Sequence, residues 1–133
     1  MIVRTREQLK GTKSNVSGPF WSTTRFLLKE DGMGFTLSET IVNFPDGAEA
    51  GEGATLEYKN HFEACYCVEG ELEVEDLTTG EVHHITPGTV YALDKHDRHK
   101  VRAKGNVRLI CGFSPALVGP ETHDADGSYP ASD

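Results

Sequence analysis

Glu63-Ala64-Cys65-Tyr66-Cys67-Val68-Glu69-Gly70 carries the alternation that marks this chain as built from strands. It is a short run of residues that fill strands, closed by a glycine suited to a tight turn. In a strand, successive side chains alternate between faces, so Glu63, Cys65 and Cys67 share one side. A carboxylate pointing inward in that apolar company requires a cation or a proton. Working outward, similar runs rich in Val, Ile, Thr, Tyr and Phe recur between clusters of Gly, Pro, Asp and Asn, and extended amphipathic helical periodicity is hard to find. Strands are expected over 20–28, 35–43, 54–58, 63–69, 71–75, 81–85, 89–93, 98–103 and 107–113, with a short helix over 5–10. Turns are expected at Asp31-Gly32, Gly70, Thr79-Gly80, Pro87-Gly88 and Gly105-Asn106. Many short, closely spaced strands predict an all-β sandwich or barrel.

The chain has 133 residues, which predicts one domain over 1–133. Hydrophobic residues make up 37% of it, enough for a packed core. A net charge of -8 argues against nucleic acid as a partner, since phosphate backbones select basic surfaces. No apolar run reaches the ~18 residues of a membrane span, and the opening Met1-Ile2-Val3-Arg4 lacks the apolar core of a signal peptide, so a cytoplasmic protein that does not bind membranes is expected. Three cysteines with no CxxC pattern fit reduced thiols rather than a disulfide framework. Two segments lack strand character: the acidic, Gly-rich 44–53 (FPDGAEAGEG) and the Pro-punctuated 114–133, each readable as a lid or a mobile end.

A second pattern lies downstream. If 94–96 form a hairpin loop, Tyr91 stands across from His99 on one face, with Cβ atoms ~4.5–5.5 Å apart. Arg98, Lys100, Arg102 and Lys104 alternate with His99, Val101 and Ala103, which turns His99 inward because the charges prefer water. Glu63, Tyr91 and His99 then compose a carboxylate, phenol and imidazole set. Such an O/N set with open positions suits Fe2+, with Zn2+ or Mn2+ less favoured. The plainer reading is a hydrogen-bonded Tyr–His core pair. Cys65, Cys67 and Cys111 read as small core residues, His83 and His84 as strand surface, and His96 as a solvated turn residue. Glu63 to Gly70, with Pro87-Gly88 and Tyr91, partly resembles the two short motifs of the cupin superfamily, a small double-stranded β-helix barrel. The His-x-His pair of the first cupin motif is missing here, and Tyr91 stands where the second carries a His.

Longer words are more specific. Trp21-Ser22-Thr23-Thr24-Arg25, Asp31-Gly32-Met33-Gly34-Phe35, Tyr58-Lys59-Asn60-His61, Tyr91-Ala92-Leu93-Asp94-Lys95-His96-Asp97, His123-Asp124 and Tyr129-Pro130 resemble the ectoine synthase family over essentially the whole chain. The resemblance implies a cupin barrel with an irregular C-terminal tail, and a cytoplasmic, homodimeric, iron-dependent lyase. Its reaction closes N4-acetyl-L-2,4-diaminobutyrate into the compatible solute ectoine with loss of water. It implies Glu63, Tyr91 and His99 as metal ligands, and Trp21, Arg25, Thr40, Tyr58, His61, Leu93, Cys111, Phe113, Glu121 and His123 around the substrate. The chain departs from the family at Thr55-Leu56-Glu57, where a further His is usual, at Phe113-Ser114-Pro115-Ala116 in place of Phe-Asn-Pro-Pro, and at Gly119-Pro120-Glu121-Thr122 in place of Gly-Arg-Glu-Val.

The chemistry assigns expected roles. Ring closure requires a flexible chain to be folded for attack, so Arg25, aided by Trp21, is expected to hold the substrate carboxylate. His61 is expected as the base, Tyr58 or Thr40 as proton shuttles, and Glu121 as a second base. An Fe2+-dependent oxygenase and a non-catalytic small-molecule-binding cupin are the rival readings.

Overall fold

In a computed structural model, the structure describes residues 1–18, 21–44, 54–103 and 105–132. The acidic stretch 45–53 and Lys104 lie outside the described residues. The alternation of the sequence becomes ten strands: β1 (Asn15–Ser17), β2 (Trp21–Arg25), β3 (Thr36–Phe44), β4 (Ala54–Leu56), β5 (Phe62–Glu69), β6 (Leu72–Asp76), β7 (Val82–Ile85), β8 (Val90–Leu93), β9 (His99–Ala103) and β10 (Gly105–Ser114). They form a six-stranded sheet, β1-β2-β3-β10-β5-β8, and a four-stranded sheet, β4-β9-β6-β7, with every pairing antiparallel.

The helix α1 (Arg6–Leu9) is shorter than expected and starts at a capping box: Thr5 Oγ1 accepts from Gln8 N, and Gln8 Oε1 accepts from Thr5 N. The strand expected over 20–28 stops at Arg25, and a 3₁₀ turn follows at Lys29–Asp31. Asp31 stabilises that turn by accepting from Leu28 N and pairing with Arg4. The Arg4 guanidinium holds the Asp31 carboxyl down at about 2. Strand β1 was not expected; among the described residues it pairs only with β2, and it has too few residues to show a period.

Period two explains the core. On β10, Val107, Leu109, Cys111 and Phe113 are buried and the residues between them are more exposed; on β5, Glu63, Cys65 and Cys67 are buried, as their alternation predicts. These faces meet Leu72, Val74, Ile85 and Val101 of the other sheet in one core.

The expected β8–β9 hairpin does not form. Strand β8 pairs with β5, opposing Tyr91 to Cys65, whereas β9 pairs with β4 and β6 in the other sheet. The chain leaves one sheet for the other at His96, whose φ is 53°. His96 is half-buried rather than solvated: Nδ1–H donates to the Tyr58 carbonyl at 2.8 Å, and the ring stacks on Phe62 at 4.6 Å. His83 and His84 are exposed, as expected.

The C-terminal segment is neither strand nor free end over its described residues. Leu117, Ser128 and Tyr129 are buried. Glu57 N donates to the Gly127 carbonyl at 3.0 Å, and Asn60 Nδ2 donates to the Tyr129 carbonyl at 2.9 Å. Gly127 has a φ of 74°, and a Cβ there would stand 2.4 Å from the Thr55 carbonyl oxygen, so the approach to β4 requires glycine. The tail is thereby brought over the open end of the sheets.

Candidate active site between the two sheets

A cavity of about 290 Å³ lies between the sheets, closed on one side by the C-terminal segment. Its wall follows from strand register. Arg25 opposes Ser38, Ser38 opposes Cys111, Cys111 opposes Cys65, and Cys65 opposes Tyr91, so one row crosses five strands with its side chains on the inner face. One step along the strands on either side of it run two more rows, Thr23–Thr40–Leu109 and Phe113–Glu63–Leu93. From these rows Arg25, Thr23, Thr40, Leu109, Cys111, Phe113, Cys65, Glu63 and Tyr91 line the cavity. Val42, Ala54, Leu56 and Val101 add apolar wall, and Trp21, Tyr58, His123 and Tyr129 complete the mouth and roof.

At one end sits Arg25, buried at 1% exposure. Its Nη1 donates to the Gly119 carbonyl and lies 3.7 Å from Glu121 Oε1, while the guanidinium rests over the Tyr129 ring at 5.1 Å. Its Nη2 has no hydrogen-bond partner among the described residues. Glu121 does not line the cavity: its oxygens accept from Val118 N at 2.7 Å and Gly119 N at 2.8 Å. It therefore fixes the turn that fixes Arg25, and is not placed as the expected second base.

At the other end Glu63 is buried, which pushes its carboxyl up to about 7 despite hydrogen bonds from the Cys65 and Cys111 thiols. Burial likewise pushes the Tyr91 phenol and the Cys65 thiol well up, so both are neutral in the metal-free protein. His99, on the facing sheet, is buried and does not line the cavity; its ring stands 6.2 Å from that of Tyr58. Its Nδ1–H donates to the Asp97 carbonyl at 2.8 Å, which leaves Nε2 as a buried lone pair without a partner among the described residues. That tautomer is the one a metal-ligating imidazole needs. A buried acid, a phenol and a free imidazole lone pair are donor types that a divalent ion takes, although they come from two sheets and not from the hairpin expected from the sequence.

An aromatic group covers the cavity. Tyr58 Oη and His123 Nε2 share a hydrogen bond of 2.8 Å, His123 stacks on Tyr129 at 4.6 Å, and Trp21 meets His123 edge-on at 5.3 Å. Burial, then Arg25, lowers His123 to about 4, so its imidazole is neutral at pH 7. Thr40 Oγ1 donates to Thr23 Oγ1 at 2.9 Å.

Two expected members are elsewhere. His61 is fully buried, off the cavity, with Nε2 hydrogen-bonded to Ser132 Oγ at 2.8 Å and its ring edge-on to Phe113. Leu93 packs in the core beside Glu63 without lining the cavity. Conversely, Cys65 and Tyr129 line it without having been expected in the site. Cys65 was within reach of the sequence, being two residues from Glu63 on the same face; Tyr129 stands in a word that resembles the family, but no period in the tail marks it as a wall residue.

The sequence profile of ectoine synthase matches residues 1–133. The chain is 48% identical over 130 residues to an L-ectoine synthase of Oceanobacillus iheyensis, covering 98% of this chain and 97% of that one. Among solved structures it is similar to ectoine synthase from P. lautus, at 42% identity and a TM-score of 0.79, covering 96% and 87% of the two chains. An RmlC-like cupin from Shewanella frigidimarina, 21% identical with a TM-score of 0.58 over 77% and 83% of the chains, shares the fold. The cavity is thus set in a cupin barrel, and the chain belongs to the ectoine synthase family.

Proposed function

We propose that this chain, as one domain, is an L-ectoine synthase, a lyase that closes N4-acetyl-L-2,4-diaminobutyrate to ectoine in the cavity between its sheets. The observation that carries the reading is the polarity of that cavity. A buried guanidinium with an unpartnered Nη2 stands at one end, a carboxyl and a phenol at the other, and apolar wall lies between. The substrate has the matching order: an α-carboxylate, a short methylene chain and an acetamide.

Arg25 holds the carboxylate, because a guanidinium presents donors in a fork that a carboxylate matches. The methylenes lie against Val42, Leu109 and Phe113, which hold the chain folded and displace water from a reaction that expels water. The α-amine nitrogen attacks the acetamide carbon, forming the new C–N bond. The carbonyl oxygen then departs as water with two protons given up at nitrogen, leaving the ring amidine. Those protons need an acceptor beside the cavity. The Tyr58–His123 pair suits that role better than His61, since it lines the cavity and His61 does not. Thr40 and Thr23 offer hydroxyls that orient the amine. Glu63, Tyr91 and His99 would hold Fe2+, with Zn2+ or Mn2+ as substitutes. That ion, when bound, supplies Lewis acidity for an otherwise poor amide electrophile.

The reading includes a homodimer in the cytoplasm. The outer face of the six-stranded sheet exposes Phe62, Tyr66 and Val90 at 48%, 48% and 61%, an apolar surface that a second copy would cover. No described helix is long and apolar enough to cross a membrane.

Incubating the reduced, iron-loaded protein with N4-acetyl-diaminobutyrate, with and without oxygen, tests the function. Equal ectoine formation in both supports it. Turnover that requires oxygen supports an oxygenase, and binding without product supports a non-catalytic cupin.

A further inference from the structure

Cys65 and Cys111 stand opposite each other in the β5–β10 ladder, with Sγ atoms 3.4 Å apart and both residues 2% exposed. Glu63 shares their face, and its carboxylate oxygen and the two sulfurs all lie within 4.8 Å of one another. All three residues line the cavity. His99 does not join this group. Neither does Cys67, whose Sγ turns instead to the carbonyls of Glu69 and Gly70 at 3.7 and 3.5 Å.

We propose that Glu63, Cys65 and Cys111 form a second ligand set, a thiophilic site for a soft divalent cation of the zinc or cadmium class, bound through two thiolates and one carboxylate. Spacing favours it. Two sulfurs each about 2.3 Å from a tetrahedral ion stand ~3.8 Å apart, so the pair at 3.4 Å needs to open by only a few tenths of an ångström. Three protein ligands leave the fourth position facing the cavity. Binding displaces two thiol protons, so affinity rises with pH. Two thiolates and a carboxylate around a doubly charged ion leave one net negative charge, which Arg25, in the same transverse row as both cysteines, offsets.

The donor chemistry separates this set from the first. Carboxylate, phenol and imidazole suit Fe2+, whereas thiolates select softer ions. Both sets use Glu63, so ions in the two sets compete for its carboxylate. That competition rests on the proposed iron site; thiolate ligation itself does not.

Metal-free, reduced protein titrated anaerobically with Cd2+ is read by its ultraviolet thiolate-to-cadmium absorption. The proposal expects saturation at one ion per chain. It expects about half the absorption and at least a tenfold weaker affinity in Cys65→Ser and in Cys111→Ser, and no change in Cys67→Ser or His99→Ala. No band in the wild-type protein, a band that survives unaltered in Cys65→Ser and Cys111→Ser, or a band lost in Cys67→Ser overturns it. X-ray absorption of the zinc-loaded wild-type protein needs no variant: two sulfur neighbours at about 2.3 Å are expected, and only light-atom neighbours refute the site. If His99→Ala keeps both the cadmium band and its iron, the iron set fails while the thiolate site stands.

Discussion

Replacing Glu121 by alanine separates a clamp from a catalyst. In the folded chain its two oxygens accept from Val118 N and Gly119 N, and Oε1 lies 3.7 Å from Arg25 Nη1, with side-chain exposures of 3% for Glu121 and 1% for Arg25. Alanine leaves the guanidinium buried beside one backbone carbonyl and the Tyr129 ring. Breaking a buried ion pair by removing one partner costs ~3–5 kcal/mol. Across 133 residues, at an unfolding entropy of about 2.1 cal/mol/K per residue, each kcal/mol lowers Tm by roughly 3–4 °C, so a fall of about 10–18 °C is expected. Thermal unfolding by circular dichroism measures it. With Arg25 as the proposed carboxylate holder, KM should rise well below the unfolding range while kcat changes less. Arg25→Met/Glu121→Leu should cost less than the sum of the two single changes, since no charge is then stranded. A Glu121→Ala protein within about 1 kcal/mol of wild type, or one that loses kcat with Tm and KM unchanged, would refute the clamp and restore Glu121 as a base.

Two other perturbations bear on the remaining assignments. In the metal-free protein Glu63 titrates at about 7, against an ordinary value of 4.5, so the native state holds the extra proton between these values. Stability from this group is therefore present below about pH 4.5 and lost as pH rises through about 7, by up to ~3 kcal/mol. Urea unfolding at pH 5 and pH 8 should show that loss in the metal-free wild type and not in Glu63→Gln; equal slopes for both would contradict it. Tyr58→Phe should lower kcat by ~10²-fold or more with little loss of stability, whereas His61→Asn should unfold more easily yet keep most of its kcat. Steady-state kinetics showing the reverse order would return the base to His61.

Much of this was written in local periodicity. The alternation Glu63, Cys65, Cys67 was legible because a two-residue period needs only neighbouring residues to show it, and both the burial and the inward carboxyl follow from it. Partner choice was not legible. The spacing from Tyr91 to His99 suits a hairpin, but the chain turns at His96, which is held by the Tyr58 carbonyl, a residue 38 positions away. The two candidate ligands consequently come from different sheets. The tail was opaque for the same reason: its order comes from single hydrogen bonds to Glu57, Lys59 and Asn60, which impose no period. For that reason the local pattern does not separate His61 from His123. Both occur in words that resemble the family, but only His123 lines the cavity.

Diffraction from iron-loaded crystals soaked anaerobically with N4-acetyl-diaminobutyrate, recorded at the iron absorption edge, tests the central claim most directly. An anomalous peak bounded by Glu63, Tyr91 and His99 is expected, with the substrate carboxylate on Arg25 Nη2 and its acetamide toward the ion. A peak without Glu63, or a carboxylate bound away from Arg25, would contradict it.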